Sequence, residues 1–240
     1  MTDPRTSIIS ERLKRIRRII AVSSGKGGVG KSLIASTLAL SLAQKSFKVG
    51  LFDLDFTSPS THIILGIENV CPKEEKGIIP PEVHGIRYMS IIYYSGDLAV
   101  PLRGFDVSNA LIELLSITRW GKLDYLILDM PPGIGDVTLD LIRLMPNTQF
   151  LIVTTPSQLA FETVKKLVSL LKEVKIPVIG VVENMKMNES REIRRETEKL
   201  NLKFLMEIPY DSSVELAMGD VHRLLKTVFA ERVERLSSET

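Results

Sequence analysis

The feature that most restricts this chain is a run of glycines set between two apolar stretches. Ile19-Ile20-Ala21-Val22-Ser23 reads as a buried strand, and Ser32 to Ala43 carries apolar residues at helical spacing, Leu33, Leu38 and Leu42. Between them residues 25–32 read Gly25-Lys26-Gly27-Gly28-Val29-Gly30-Lys31-Ser32. This fits G-x-x-x-x-G-K-(S/T) without a mismatch, in the strand–loop–helix setting that the motif requires. Glycines let the backbone curl so that several N–H groups face phosphate oxygens. The helix that follows adds its positive N-terminal end. Lys31 is then placed to reach the β- and γ-phosphates of a nucleotide, and the Ser32 hydroxyl to ligate Mg²⁺. The alternative is a plain glycine turn, and the flanking strand and helix weigh against it. Lys26 is different, because an ordinary phosphate loop needs no charge there. From spacing alone it is as readily a solvated surface lysine.

The same alternation continues along the chain. Strands are expected at Lys48 to Asp53, 85–93, Asp124 to Asp129, Gln149 to Thr154, Pro177 to Glu183 and Phe204 to Ile208. Helices are expected over 8–18, 107–118 and 159–174, with one or two more in 212–236. Apolar strands alternating with helices predict an α/β fold: a doubly wound, mostly parallel sheet flanked by helices. Ligands of such sheets sit at the carboxyl ends of the strands. Asp53, Asp129 and the glycine loop all fall at strand ends, so all three are expected on one edge. A carboxylate beside Mg²⁺ and a triphosphate stays ionised. The competing role for Asp53 or Asp55 is to cap a helix that begins near Ser58–Ser60.

Composition narrows the function classes. Of 240 residues, 44 % are apolar and 25 % charged, as in a globular protein, and no linker divides them. One domain over 1–240 is expected, with 1–17 as a basic N-terminal helix or extension. Basic residues number 31 and acidic residues 29, for a net charge of +2, so no global pull towards nucleic acid or anionic membrane is expected. No stretch reaches the roughly 18 consecutive apolar residues of a membrane span, and the charged N-terminus lacks a signal-peptide core. Cys71 is the only cysteine, which excludes an intrachain disulfide. Together these favour the cytoplasm.

Ser24 to Ser32 resembles the deviant phosphate-loop motif of the ParA/MinD/nitrogenase-iron-protein superfamily, P-loop NTPases of the SIMIBI type. Asp53-Leu-Asp-Phe-Thr-Ser-Pro-Ser60, Asp124-Tyr-Leu-Ile-Leu-Asp-Met-Pro-Pro-Gly-Ile-Gly-Asp136 and Val182-Glu-Asn-Met185 resemble the Mrp/NBP35 (ApbC-like) ATPases, usually described as iron–sulfur cluster carriers. The resemblance spans about residues 18–220. It implies an ATPase with ATP and magnesium as cofactors, slow without a partner. Lys26 would be the signature lysine that crosses a homodimer interface to the partner's ATP. Asp55 would position the attacking water, while Asp53 and Asp129 would hold magnesium, mostly through water. Gly133 would sense the γ-phosphate, and Asn184 would hydrogen-bond the adenine. Ile208-Pro209-Tyr210-Asp211 would form the other wall of the base pocket, with Leu33 facing the nucleotide.

Two departures stand out. A Cys-x-x-Cys pair follows the Glu-Asn-Met segment in the family, whereas residues 186–192 here read Lys-Met-Asn-Glu-Ser-Arg-Glu. The usual Tyr-Gly of the first switch is Thr57-Ser58. The resemblance thus implies an ATP switch linked to cluster assembly, but one without its own cluster and acting on an unknown client or a cysteine-bearing partner. The alternatives are a ParA/MinD-like positioning ATPase that acts on DNA or membrane, and a non-hydrolysing adaptor. Other residues read plainly. His62, His84 and His222 lack ligand spacing, and Met185, Met187, Met206 and Met218 read as core fillers. Tyr93, Tyr94 and Trp120 show no base-stacking module, and the basic patch 12–18 reads as one solvated helix face. Val221 to Leu236 reads as an amphipathic helix that closes the sheet, with a membrane surface as its alternative occupant.

Overall fold

The computed structural model describes residues 3–95, 105–187 and 189–239. An eight-stranded sheet runs through it, built from β1 (Ile16–Ser24), β2 (Val49–Asp53), β5 (Glu82–Val83), β6 (Ile86–Ser90), β7 (Leu123–Asp129), β8 (Gln149–Thr154), β9 (Val178–Lys186) and β10 (Phe204–Pro209). A two-stranded ribbon, β3 (Lys73–Glu74) with β4 (Ile78–Ile79), lies apart. The order across the large sheet is β10-β9-β8-β1-β7-β2-β6-β5. Every neighbouring pair is parallel except β5 with β6.

The helices are α1 (Arg5–Leu13), α2 (Lys31–Gln44), α3 (Thr61–Leu65), α4 (Ile92–Ser95), α5 (Phe105–Ile117), α6 (Asp136–Leu144), α7 (Gln158–Glu173), α8 (Glu192–Lys199), α9 (Ser213–Leu216), α10 (Val221–Leu224) and α11 (Val228–Leu236). They fall on both faces of the sheet. Alternate residues of β1 enter two separate cores. Ile20 and Val22 pack with α2 and α11, whereas Ile19 and Ala21 pack with α5 and α7. Central strands are therefore buried on both sides, which is why they read as continuous apolar runs. Helix α2 is buried on most sides, its Ser36, Thr37 and Ser41 included, because it lies under α3 and α11 as well as on the sheet. Each fully buried leucine there, such as Leu38 or Leu42, contributes about 1.5–3 kcal/mol.

Four expectations about these elements need correction. The strand expected over 85–93 ends at Ser90, and Ile92–Ser95 is helical. The basic helix does not run to residue 18: α1 ends at Leu13 and β1 begins at Ile16. Ile16 pairs with Leu123 and Arg18 with Tyr125. The Arg18 guanidinium donates to Gln149 Oε1 at 2.7 Å and lies 5.9 Å from the Tyr125 ring centre. The strand hence extends downward because its neighbours do. Val221 to Leu236 is not one helix: Thr227 breaks it, and its Oγ1 caps α11 by accepting from Ala230 N at 3.1 Å. The apolar face is used internally through Phe229, Ala230, Val233 and Leu236, while Val228 is left 52 % exposed. Met187 is no core filler, being 81 % exposed. Among the described residues no helix is long and apolar enough to cross a membrane.

Candidate nucleotide site

Because the sheet is parallel, the ends of β1, β2 and β7 come to one edge. Val22 lies opposite Asp129, and Asp53 lies opposite Asp129 on the other side. The glycine loop leaves β1 at Ser24 and turns into α2 at Lys31. Its last residue before α2, Gly30, has φ +80°. A Cβ there would also lie 2.3 Å from Asn184 Nδ2. Position 30 therefore needs glycine twice, for its left-handed backbone and for the approach of β9. Asn184 is held in place by donating from Nδ2 to the carbonyl of Val29 at 2.9 Å.

Lys31 is buried and turned onto the acids. Its Nζ donates to Asp129 Oδ1 at 2.5 Å and to Ser32 Oγ at 3.1 Å. Asp129 is fully buried, and its second oxygen, Oδ2, has no hydrogen-bond partner among the described residues. Burial raises its pKa even so; the Lys31 ammonium and the Ser32 hydroxyl pull it down, and Asp55 pushes it up. Asp53, also fully buried, is pushed up to about 7 by burial first and then by Asp129. Its Oδ1 accepts from Asp55 N at 3.1 Å, and its Oδ2 from Ser60 N and Thr61 N at 3.2 Å each and from Thr61 Oγ1 at 2.6 Å. Asp53 thus does hold the start of α3. Asp55, 8 % exposed, accepts on Oδ1 from Thr57 Oγ1 at 2.9 Å and Ser58 N at 3.1 Å, which ties the turn after β2 together.

These groups suit a magnesium ion. A fully buried carboxylate oxygen without a donor, beside a second buried carboxylate and a hydroxyl, is a site that a divalent cation would satisfy. Among the described residues no group of three or more His, Cys, Asp or Glu side chains is arranged to hold a metal. Magnesium needs none, because it keeps several waters and uses one or two carboxylates with substrate phosphates.

Asn184, Leu33, Pro209 and Asp211 line one cleft of about 230 Å³, together with Met185, Tyr210 and Met218. The structure brings the first four, expected beside a nucleotide, to one cleft; Met185 and Met218, expected in the core, are half-buried on its wall, Met218 also packing against the core. Asp211 is a structural group there. Its Oδ1 accepts from Ser213 N and Ser213 Oγ at 3.0 and 2.6 Å, and its Oδ2 accepts from Phe229 N at 3.1 Å. The hydrogen bonds from Ser213, foremost, hold its pKa below the ordinary carboxylate value. Gly133, at φ +80°, donates its N–H to Ser24 O at 2.9 Å and so sits against the base of the glycine loop. Gly25 lies against α7, where an added Cβ would meet Thr163 Oγ1 at 2.1 Å. Lys26, Gly27 and Gly28 are exposed.

The comparisons with known proteins agree with this fold. A family model described as ParA, NUBPL iron-transfer P-loop NTPase, matches residues 15–236. The iron–sulfur cluster carrier protein of Pseudomonas fragi is 45 % identical over 177 residues, covering 72 % of this chain and 62 % of that protein. The iron–sulfur cluster carrier protein of Escherichia coli K12 is 46 % identical over 176 residues, 72 % of this chain and 48 % of its own. The chain therefore spans about half to three fifths of the length of these two relatives. Among solved structures, the nucleotide-binding protein of Archaeoglobus fulgidus in complex with ADP superposes with a TM-score of 0.78 at 33 % identity, covering 92 % of this chain and 93 % of that one. The cell-division ATPase MinD of Pyrococcus furiosus shares the fold at 21 % identity, with a TM-score of 0.69 and coverage of 93 % and 98 %. By its sequence, its fold and the strand-edge site, this chain belongs to the NUBPL iron-transfer P-loop NTPase family of the ParA type, with Mrp/ApbC-type carriers among its relatives.

Proposed function

We propose that the chain is an ATP-dependent switch in iron–sulfur cluster assembly or carriage, which turns ATP into ADP and phosphate slowly and holds no cluster of its own. The observation that carries the switch is the Lys31–Asp129 pair with the unpartnered Asp129 Oδ2 beside it. Without nucleotide, Lys31 neutralises a buried carboxylate. With ATP, Lys31 leaves Asp129 for the β- and γ-phosphate oxygens, and the loop N–H groups from Gly25 to Leu33 cradle the phosphates. Ser32, Asp129 and, through water, Asp53 would hold the magnesium; bound there, it neutralises charge on the phosphate oxygens. Asp55 positions the water. Asn184, Pro209 and Asp211 border the base, and Gly133 registers the γ-phosphate. Lys26, exposed at the loop surface, acts across a homodimer much as an arginine finger does.

The link to clusters rests on relatives named as iron–sulfur cluster carrier proteins. The client is unknown and is expected to be a protein, with neither nucleic acid nor membrane required; the expected setting is the cytoplasm. Calorimetric titration with ATP, paired with phosphate release, tests the reading. Magnesium-dependent ATP binding with turnover well below the roughly 1–100 per second of kinases is expected. Absence of ATP binding would overturn it.

A further inference from the structure

The opposite edge of the sheet holds a second site. Arg15 precedes β1, Gly121 stands just before β7, and Arg87 is the second residue of β6. The glycine loop leaves the other end of β1, nine residues away, or about 30 Å at roughly 3.3 Å per residue. Around these strand starts lies a cavity of about 960 Å³, the size of a small-ligand site. Five cations line it, Arg12, Arg15, Lys73, Arg87 and Arg119, against two carboxylates, Glu11 and Glu82.

Two carboxylates lie near these cations: Arg15 lowers the pKa of Glu11, after Lys14, and Glu82 is opposite Arg87 across the β5–β6 ladder. Glu11 is paired with Lys14. Among the described residues none of the five forms an ion pair with a carboxylate; three arginines are fixed instead by backbone carbonyls. Arg12 Nε donates to Ser116 O at 3.3 Å, Arg119 Nη1 to Glu75 O at 2.6 Å, and Arg87 Nη1 to Trp120 O. These three are half-buried. Each guanidinium carries five donors in a planar fork, so most remain free for a ligand. Trp120, 1 % exposed, also lines the cavity, and its indole N–H has no acceptor among the described residues. Fixed guanidinium forks around a concave site match a ligand rich in anionic oxygens.

We infer that this cavity binds a small polyanion, a compound bearing two or more carboxylate or phosphate groups. It is separate from the nucleotide site and does not rest on the reading of that site. The chain supplies its own reporters. Cys71, the sole cysteine, is exposed and lines the cavity, and Trp120 is the sole tryptophan. The experiment measures the rate at which neutral iodoacetamide alkylates Cys71, together with Trp120 fluorescence. The probes are citrate, pyrophosphate, an acidic peptide, and sodium chloride at matched ionic strength. The Lys31→Ala protein runs alongside, so that pyrophosphate held at the glycine loop is not mistaken for this site.

Citrate or pyrophosphate is expected to slow alkylation about tenfold at ten times its dissociation constant, with a saturable fluorescence change at the same midpoint. Citrate alone would identify carboxylates and pyrophosphate alone phosphates; either result supports the site. Arg12→Ala with Arg119→Ala should abolish protection, and Arg119→Lys should weaken it, while ATP binding stays unchanged as proof of folding. Protection by neither anion, equal protection by chloride, or equal protection in a folded Arg12→Ala/Arg119→Ala protein would overturn the proposal. Protection only by an acidic peptide would also overturn it, in favour of a protein-docking groove.

Discussion

Lys31 has a structural role in the empty protein that complicates the usual test of a phosphate loop. Its ammonium is the ionic partner of a fully buried carboxylate, Asp129. Removing one side of a buried pair strands the other charge and costs about 3–5 kcal/mol. Lys31→Ala should thus abolish phosphate release and also lower the urea midpoint of the nucleotide-free protein. Adding Asp129→Asn should regain most of the stability and none of the activity. Wild-type turnover by Lys31→Ala would rule out the phosphate-loop reading. Asp53 gives a pH signature. Its folded pKa is raised from 3.8 to about 7, by burial and then by Asp129, so between those values the folded state binds more protons than the unfolded. Stability of the nucleotide-free, magnesium-free protein should then fall as pH rises from about 4 to about 7, and level off above that. Asp53→Asn should flatten the curve in urea unfolding across this range; an unchanged slope would mean that another group titrates.

At the scale of elements, the loop and β9 are fitted to one another at Gly30. Gly30→Ala forces an L side chain into φ +80°, at about 1–2 kcal/mol, and drives its Cβ into Asn184. Both stability and ATP affinity should fall, whereas Gly27→Ala, whose Cβ would meet nothing, should change unfolding by no more than about 0.5 kcal/mol. Calorimetry beside urea unfolding separates the two variants. The loop and the acid-tipped strands were legible in the sequence because the ends of β1, β2 and β7 that lead into the site are buried and run as apolar stretches before the loop or the acid. The start of β1 was not, since Arg15, Arg17 and Arg18 look like a helix face until Leu123, Tyr125 and Gln149 are known to lie beside them. Helix α8 was missed because it is almost wholly charged and buries only Ile193 and Thr197. The expectation that Asn184, Pro209, Tyr210 and Asp211 border a base came from family likeness alone, and Met185 and Met218 on the same cleft carry no local signal. The basic cavity was invisible for the same reason, its cations being spread from Arg12 to Arg119.

For the whole molecule, the nucleotide edge is also where apolar side chains are left bare. Ile134 follows β7 and is 42 % exposed, and Leu159 begins α7 and is 73 % exposed. With Lys26 exposed on the same edge, a two-fold dimer closed over ATP is expected. Lys26→Ala should bind ATP but hydrolyse it poorly, and light scattering should show a dimer with ATP. A monomer under all conditions in a protein that still turns ATP over would rule this out. The dimer also bounds what metal chemistry the chain performs. A [4Fe–4S] cluster is normally held by four thiolates. This chain has one cysteine, so a two-fold dimer brings two thiols. Cys71 is exposed, and it precedes β3 at the amino-end cavity, away from the loop that follows β9, where the family's pair would stand. No two-fold arrangement of this chain alone supplies four thiolates. Anaerobic reconstitution with iron and sulfide, followed by desalting, should leave iron far below four per dimer and no visible absorption band of a cluster. A stable brown species that survived Cys71→Ser would require ligands other than cysteine, and one abolished by Cys71→Ser would make that thiol a ligand; either would overturn the expectation that the chain switches with ATP while another protein carries the cluster.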